Sequence, residues 1–192
     1  MPRKAVHTAD SLLDAAASIA AIDGAAAVTM SAVAAAVEAP SGSVYYRFPD
    51  RAALLSALWL RTIDRFQHGF LESLAGTPAR DASVRAARYV LEWSRDNPVD
   101  ASVLLAGPSS FGSAQWSGEA RKASAVRQSR LEEALDALAE RLGFRTRIDR
   151  ERLALALVDL PYAAVRRQSH GAGTVSDATI DAVEDIVRRV VT

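Results

Sequence analysis

A run of hydroxyl, phenol and basic side chains has the chemistry to contact nucleic acid. Its members, with one glycine, are Ser41, Gly42, Ser43, Tyr45, Tyr46, Arg47 and Arg51. Hydroxyl, phenol and guanidinium groups hydrogen-bond to phosphate oxygens and base edges, and a glycine lets the backbone approach closely. Tyr45, Tyr46 and Arg47 are consecutive on a predicted short helix, so they cannot all be buried. These side chains form the first candidate binding site.

Two short helices around a tight turn are predicted to position this run. Residues 30–37 are alanine-rich with apolar residues at helical spacing, and only residues 38–40 separate them from the next helical segment. In that second segment Val44 and Phe48 lie four residues apart and would face inward. A helix, a tight turn and a second short helix form the outline of a helix-turn-helix DNA reader.

The same residues resemble the signature of TetR-family transcriptional regulators. The family's recognition segment reads small-Gly-Thr/Ser-aliphatic-Tyr-aromatic-x-Phe, followed by a short turn, a basic residue and an aliphatic run. This chain has Gly42-Ser43-Val44-Tyr45-Tyr46-Arg47-Phe48, then Pro49-Asp50, Arg51 and Leu54-Leu55. The close resemblance covers roughly residues 8 to 60, and beyond them it is one of helical layout and length. It implies a dimeric repressor that a small molecule releases from a palindromic operator.

The resemblance also implies a role for each residue of the candidate interface. Three side chains would bind phosphates: Tyr45, Arg47 and Arg51. Three others would lie in or beside the major groove: Ser41, Ser43 and Tyr46. The close approach of the backbone would depend on Gly42. The start of the preceding helix, where Thr29 is the cap, would meet the DNA backbone through Met30 and Ser31. The N-terminal Arg3 and Lys4 are either further contacts or part of a disordered basic tail.

The turn and the start of the second helix depart from the family pattern. Glu38 stands where the family usually has glycine, and a left-handed conformation costs a non-glycine residue about 1–2 kcal/mol. The turn must therefore differ in geometry or accept that strain. Pro40 stands where a Ser or Thr often caps the helix. Proline also suits a first helical position, but Ala39 would then be a poor cap.

Composition predicts an all-α chain and excludes several kinds of site. The 192 residues include no cysteine and three histidines, which excludes disulfides and thiolate sites and argues against a zinc site. Lysine plus arginine equals aspartate plus glutamate, 23 against 23, so overall charge carries no signal of a basic DNA-binding domain. No apolar run is long enough to span a membrane, and no signal core follows the N-terminus. We therefore expect a cytoplasmic protein without a cofactor.

About nine helices in two domains are predicted along the chain. Residues 1–50 would form a three-helix helix-turn-helix domain, and residues 51–192 an effector-binding and dimerisation domain. A long helix from about residue 50 to 75, capped by Asp50, would join them. Other helices are predicted over residues 8–23, 79–96, 99–106 and 119–142. Residues 107–118 are predicted to be an irregular loop of a length that is often functional.

The last two helices are predicted to start at Asp149 and Ser176, with a kink or break in the first of them near Pro161. Both are apolar on more than one side and so need cover on more than one side, which a symmetric dimer would provide. In TetR-like proteins the last two helices of each chain form such an interface. The residues predicted to form it here are Leu153, Leu157, Leu160, Ala164, Ile180, Val183, Val187 and Val190. A second apolar stripe contains Leu155, Val158, Tyr162 and Val165. Which stripe faces a partner, or whether both lie in the core of a monomer, stays open.

Aromatic side chains mark a candidate effector site in the second domain. They lie on the elements around the predicted loop at residues 107–118: Phe66, Phe70, Tyr89, Trp93, Phe111 and Trp116. Each of them alone also fits an ordinary core position. Because few charged residues occupy inward positions, a mostly apolar small molecule is the expected ligand.

Two other classes of function were compared with the regulator. An enzyme is not expected, because no nucleophile is paired with a base and no phosphate loop, metal motif or dinucleotide fingerprint is present. An all-helical module that binds a small molecule or a protein without specific DNA binding remains the alternative. Replacing Tyr45 and Arg51 with alanine separates the two, since only a DNA-binding regulator would lose its DNA affinity.

Overall fold

The computed structural model describes residues 8–76, 78–169 and 174–192, in which helices and turns occur and no strand. The α-helices are α1 (Ala9–Asp23), α2 (Met30–Ala36), α3 (Ser41–Arg47), α4 (Arg51–Leu74), α5 (Ala79–Asp96), α6 (Pro98–Ser110), α7 (Gly118–Arg141), α8 (Arg147–Ala154), α9 (Leu160–Ser169) and α10 (Asp177–Val190). A π-helical turn, Leu155–Asp159, joins α8 to α9 in one run. The all-α fold with about nine helices and a long fourth helix is confirmed. None of the helices within these three ranges has the length and hydrophobicity to cross a membrane.

The chain divides into two compact units. The first comprises the chain as far as Thr62 together with Ser102–Ser124, and the second comprises Ile63–Ala101 together with Ala125–Thr192. The division falls inside α4, α6 and α7, so each of these helices contributes residues to both units. The functional boundary predicted at residue 50 stays a prediction.

The first unit contains the predicted helix-turn-helix. The hydroxyls of Thr8 and Thr29 cap α1 and α2, because they accept hydrogen bonds from the amides of Ser11 at 3.1 Å and Ala32 at 3.0 Å. Apolar side chains of all four helices from α1 to α4 are buried in this unit: Leu12, Val33, Val44, Leu54 and Leu58. The caps agree with the predicted helix starts near residues 8 and 29, and the burial of Val44 agrees with its predicted inward position.

The turn between α2 and α3 accepts backbone strain at Glu38. This residue has φ of 53°, and among the described residues it is the one non-glycine residue with positive φ. The amide of Glu38 donates to the carbonyl of Ala35 at 3.1 Å, and the amide of Ala39 to that of Ala34 at 2.9 Å. This is the Schellman arrangement that ends a helix and usually has glycine at the left-handed position. The turn therefore keeps the usual geometry with an unusual residue.

Pro40 lies at the N-cap of α3, where the family pattern usually has Ser or Thr. It has φ of −58° and ψ of 139° and provides no side-chain cap. The chain is still extended two residues after the left-handed Glu38, so helical geometry begins only at Ser41. Helix α3 therefore starts without a hydroxyl or carboxylate cap.

Replacing Glu38 with glycine is expected to stabilise the protein by about 0.5–1 kcal/mol. The left-handed strain of about 1–2 kcal/mol is relieved, and the greater entropy of glycine in the unfolded chain takes back about 0.5–1 kcal/mol of that gain. Urea unfolding measures the change. Glu38→Ala is the matched control, since it removes the carboxylate but keeps Cβ and hence the strain. An equal gain in both variants would mean that charge, and not backbone strain, is relieved.

Residues 107–118 are largely helical and are not the irregular loop that was predicted. Helix α6 continues to Ser110 through a kink at Gly107, which has φ of 74° and ψ of 160°, and a 3₁₀ turn, Ser113–Gln115, follows. Glycine at the kink redirects the helix, and Pro108 suits the first turn of the new direction because it has no amide hydrogen to leave unpaired. The residues that suggested a loop therefore redirect the helix at this point.

The N-cap of α8 differs from the predicted one. Thr146, and not Asp149, is the N-cap of α8: its hydroxyl accepts from the amide of Asp149 at 3.1 Å, and the Asp149 carboxylate accepts from the Thr146 amide at 3.1 Å. The break predicted near Pro161 is present as the π-helical turn Leu155–Asp159 that precedes it. A wider turn on the N-terminal side gives room for a proline, which lacks an amide hydrogen and crowds the preceding turn of a helix.

Arginines of α5 join this helix to α10 in the second unit. Arg95 binds the Asp177 carboxylate at 2.7 Å at one end of α10, and Arg80 donates to the carbonyl of Thr192 at 2.7 Å beyond its other end. Between them Arg88 binds Glu184, whose side chain is only 8% exposed. Since the arginines ascend along α5 while their partners descend along α10, the two helices pack antiparallel with polar links along their length.

Candidate functional site

Helix α3 holds two apolar side chains inside the first unit and presents its polar ones outward. Val44 is fully buried and Phe48 is 8% exposed, whereas Tyr45 and Tyr46 are 55% and 88% exposed. Arg47 at the end of the helix is also exposed. The four-residue spacing of Val44 and Phe48 therefore anchors α3, as predicted. The outward face can donate hydrogen bonds and present two flat aromatic rings.

The first residues of α3 are open as well. Ser41 and Gly42 are exposed and Ser43 is half-buried. A Cβ atom added to Gly42 would have no heavy atom within 4 Å. The packing of the chain therefore does not require glycine here, and a requirement for a small residue would have to come from something that binds to this face.

The start of α2 brings two hydroxyls together. The Oγ1 of Thr29 lies 3.1 Å from the Oγ of Ser31, and both residues are exposed. Met30 between them is only 6% exposed, so its side chain belongs to the core. The prediction that Met30 and Ser31 meet the DNA backbone stays a prediction, because Thr29 and Ser31 are exposed at the outer surface whereas Met30 is buried. Only the backbone of Met30 remains near that surface.

Arg51 has partners that its place in the sequence did not reveal. Its Nε donates to the carbonyl oxygen of Val28 at 2.7 Å, and its Nη2 donates to that of Ala25 at 2.8 Å. These acceptors lie 23 and 26 residues earlier in the chain. The side chain predicted to bind a phosphate is thus engaged with the loop before α2. Arg3 and Lys4, the two other predicted contacts in the N-terminal arm, lie outside the described residues.

Four of the predicted effector-site residues form an aromatic cluster in the second unit. Its centre is Phe66, whose ring centroid lies 5.5 Å from Phe70, 5.9 Å from Tyr89 and 5.2 Å from Trp93. The Tyr89 hydroxyl donates to the Phe66 carbonyl at 3.1 Å. Burial raises the pKa of the Tyr89 phenol, and the negative charge of Glu72 raises it further. Phe70 is buried and the other three rings are half-buried, so part of the cluster remains accessible.

The remaining two predicted effector-site residues belong to the first unit. Phe111 and Trp116 are 1% and 2% exposed, and the Trp116 indole donates to the Phe111 carbonyl at 2.9 Å. The Phe111 ring lies 6.0 Å from that of Trp59. Their side chains are core in this unit, and the prediction that all six aromatics line one site stays a prediction.

Gly69 lets the aromatic cluster form, and Gly69→Ala is expected to destabilise the protein by about 1–3 kcal/mol. An added Cβ would lie 2.5 Å from Cε2 of Tyr89 and 2.7 Å from its Cζ and hydroxyl oxygen. The ring would have to leave its place against Phe66. Urea unfolding tests this, with Gly118→Ala as the control because a Cβ there meets no heavy atom within 4 Å. In a Tyr89→Ala background the Gly69 substitution should lose its cost and stabilise α4 by about 0.5–1 kcal/mol, because alanine is the better helix former. A cost that persists there would contradict this explanation.

The apolar face predicted to form a dimer is mostly buried inside a single chain. Six of its eight residues are core side chains of the second unit: Leu153, Leu157, Ala164, Ile180, Val183 and Val187. The other two, Leu160 and Val190, are half-buried. The same helical run and α10 instead expose three large apolar side chains, with Leu155 at 50%, Tyr162 at 39% and Ile186 at 45%. Periodicity identified two apolar stripes, and burial assigns the first of them to the core.

The described residues hold no group of three or more histidine, cysteine, aspartate or glutamate side chains placed to bind a metal ion. His68 lies 3.4 Å from the exposed carboxylate of Glu72 on the same helix. Such an exposed pair four residues apart is an ordinary feature of a solvated helix surface.

Part of the chain matches the sequence model of a known protein family. Residues 12–58 match the family model described as bacterial regulatory proteins, tetR family. This match confirms the resemblance found in residues 41–55. No curated protein sequence matches the chain significantly.

Solved structures of transcriptional regulators share the fold over nearly the whole chain. A TetR-family regulator from Marinobacter aquaeolei superposes with a TM-score of 0.75 at 19% identity, covering 95% of this chain and 94% of that one. The TetR-family regulator PfmR from Thermus thermophilus gives 0.73 at 19% identity, covering 94% and 96%. The transcriptional regulator FadR from Bacillus subtilis, solved with stearoyl-CoA, gives 0.71 at 14% identity, covering 96% and 98%. At these identities the similarity establishes the fold.

Proposed function

This chain has the sequence signature and the fold of TetR-family transcriptional regulators, and from that premise we propose that it is a ligand-responsive regulator that binds operator DNA as a homodimer. In its simplest form it is a repressor, released from a palindromic operator by a mostly apolar small molecule. A regulator of this kind acts in the cytoplasm, where the DNA is. Its action depends on binding equilibria and requires no catalytic group.

The outward face of α3 is the observation that carries the proposal. Large aromatic side chains that stay exposed beside one another mark interaction surfaces more often than they mark plain solvent-facing positions. Tyr45 and Tyr46 are exposed next to Arg47, while Val44 and Phe48 hold the helix in place. The open position at Gly42 suits close contact with a DNA backbone. Phenol and guanidinium groups on one short helix match the donors that phosphates and base edges accept.

An exposed apolar patch on the last helices supports a dimer. It consists of Leu155 and Tyr162 from the second stripe and Ile186 from α10, while Val165 of that stripe is buried. Two copies related by a two-fold axis would cover this patch with the same patch of the partner. A dimer also presents two α3 helices to DNA, as an operator with half-sites about 34–36 Å apart requires. The α10 residues of the first stripe are then left to the core of each protomer.

The half-buried aromatic cluster of α4 and α5 supports an apolar effector. Phe66, Tyr89 and Trp93 offer accessible aromatic ring surface. A ligand that binds more tightly to one spacing of the two DNA-binding domains shifts the dimer away from the spacing that the operator needs. Because the fold neighbour FadR from Bacillus subtilis was solved with stearoyl-CoA, a long-chain acyl-CoA is the first ligand to test. Titrations with the corresponding free fatty acid and with coenzyme A alone would show how much of the binding affinity comes from the acyl chain and how much from the nucleotide.

A gel-shift titration with DNA from beside the protein's own coding region tests this function. We expect tight, salt-sensitive binding that resists excess competitor DNA, with two chains or a multiple of two bound per duplex. The effector is expected to release that complex. Weak binding that competitor abolishes at both low and moderate salt would contradict specific regulation by this DNA and favour the alternative of a helical ligand-binding or protein-interaction module.

A further inference from the structure

We infer that Arg51 is a positioning residue, which fixes the loop before α2 and thereby the hydroxyls of Thr29 and Ser31, and that it does not itself bind a DNA phosphate. The inference rests on the proposed function, because those hydroxyls matter only where α2 meets DNA. It replaces the phosphate-binding role that the sequence resemblance implied for this side chain.

The hydrogen bonds of Arg51 all reach one short segment. Nε donates to Val28 at 2.7 Å, and Nη2 donates to Ala25 at 2.8 Å and more weakly to Ala26 at 3.4 Å. The planar guanidinium thus bridges the carbonyl oxygens of a loop with a fork of two nitrogens. Such bidentate geometry is specific to arginine, since the ammonium of lysine is a compact point charge.

The loop before α2 has carbonyl groups that need these donors. Helix α1 ends at Asp23, and the 3₁₀ turn Ala25–Ala27 is too short to pair its own last carbonyl oxygens. The Ala25 carbonyl already accepts from the Val28 amide at 3.3 Å, so Arg51 adds a second donor there, whereas the carbonyl of the fully buried Val28 depends on the Arg51 Nε. A buried carbonyl without a donor costs about 1–3 kcal/mol. Arg51, at the first turn of α4, supplies the donors and so closes the segment between α1 and α2.

The orientation of α2 follows from this segment. The Val28 carbonyl immediately precedes Thr29, whose Oγ1 accepts from the Ala32 amide at 3.0 Å and lies 3.1 Å from the Oγ of Ser31. Holding the Val28 peptide in place therefore fixes both the cap of α2 and the pair of exposed hydroxyls. Without Arg51 the loop can reorient, and the start of α2 should open more often.

The variants Arg51→Lys and Arg51→Ala separate the two roles. A phosphate contact tolerates lysine, which keeps the charge, whereas a bridge between two carbonyl oxygens does not. Asp50→Ala is the matched control: its carboxylate caps the same end of α4 by accepting from the Ala53 amide at 2.7 Å, and the cap is worth about 1 kcal/mol. This control weakens the start of α4 without removing a donor from the loop.

Two readouts decide between the roles. Hydrogen exchange of the DNA-free protein is expected to quicken by about tenfold at the first amides of α2 in both Arg51 variants, relative to α1, and to show no such selective change in Asp50→Ala. Binding to a mixed-sequence duplex at several salt concentrations is expected to weaken in both variants with the same salt slope as the wild type. A phosphate ligand would instead lower that slope by about one unit per chain on removal.

The inference is overturned if Arg51→Lys binds DNA like the wild type while Arg51→Ala lowers the salt slope, or if exchange at α2 is unchanged in both variants. If the wild type binds no duplex at any salt concentration, the proposed function fails. The exchange measurement on the free protein then decides by itself whether Arg51 fixes the loop.

Discussion

Replacing Tyr46 with alanine is expected to weaken specific DNA binding by about 10²- to 10³-fold. A side chain that contacts a base edge contributes about 1–3 kcal/mol per half-site, and a dimer loses this contribution twice. Because Tyr46 is 88% exposed in the free chain, its removal should leave stability within about 0.5 kcal/mol of the wild type. A fluorescence-anisotropy titration with the operator duplex, alongside urea unfolding, measures both quantities.

The controls for this variant come from the same unit and the same helix. Ile22→Ala removes another exposed apolar side chain, 80% accessible at the end of α1, and should change DNA affinity by less than about twofold. Arg47→Ala should weaken binding to all duplexes similarly and lower the salt slope by about two units per dimer, because it removes one phosphate contact per chain. Equal affinities for the Tyr46 variant and the wild type would show that α3 does not read DNA.

The second large effect concerns the carboxylate buried between α5 and α10. Glu184→Gln is expected to lower the free energy of unfolding by about 1–3 kcal/mol at neutral pH. The Glu184 side chain is 8% exposed and binds Arg88 and, at 2.8 Å, Arg188. Because Arg88 is 40% and Arg188 is 59% exposed, both arginines can recover hydration when they lose their partner. The loss of stability in Glu184→Gln should therefore be smaller than the loss on breaking a fully buried ion pair.

The contribution of Glu184 is also expected to vanish in acid. Burial alone would raise the pKa of this carboxyl, but the hydrogen bond and charge of Arg88, with the charge of Arg188, outweigh burial and lower the pKa below its ordinary value of 4.5. A lowered folded-state pKa means that the stabilisation is complete above the unfolded pKa and is lost as the pH falls through the folded one. The difference between the wild type and Glu184→Gln should therefore be constant from pH 7 to about 5 and narrow below about 4.5.

Urea unfolding at a series of pH values and one fixed protein concentration tests this expectation, since dimerisation would otherwise shift stability. Asp181→Asn is the matched control: its carboxylate lies 3.9 Å from Arg88 and is 75% exposed, so its loss should change stability by less than about 0.5 kcal/mol. If the difference in the free energy of unfolding between the wild type and Glu184→Gln stays constant down to pH 3, the charge of Glu184 does not have the stabilising role assigned to it.

Features that depend on a few neighbouring residues could be predicted from the sequence. The caps at Thr8, Thr29 and Ser176 each bond to an amide three residues ahead, and the structure contains all three. The inward pair Val44 and Phe48 follows from helical spacing alone. These local rules were sufficient for the all-α class and for the position of α3, because both follow from short-range helix signals.

Features set by distant contacts could not be predicted in the same way. Arg51 lies next to residues with the look of phosphate contacts, but its partners are 23 and 26 positions earlier, and no spacing rule connects them. The two apolar stripes of the last helices were equally periodic, and only packing against α5 and α10 determines that Leu157 is buried while Leu155 is 50% exposed. Gly107 reads as a helix breaker in sequence, whereas in three dimensions it turns one helix into a new direction.

Selection of duplexes from a random-sequence pool by the wild-type protein tests the central claim, that the outward face of α3 reads DNA in a dimer. We expect an enriched palindrome with half-sites one helical turn apart, bound by two chains, and no enrichment when the same selection uses a protein with both Tyr45 and Tyr46 replaced by alanine. Enrichment of the same sequence by that variant, or none by the wild type at any salt concentration, would contradict it.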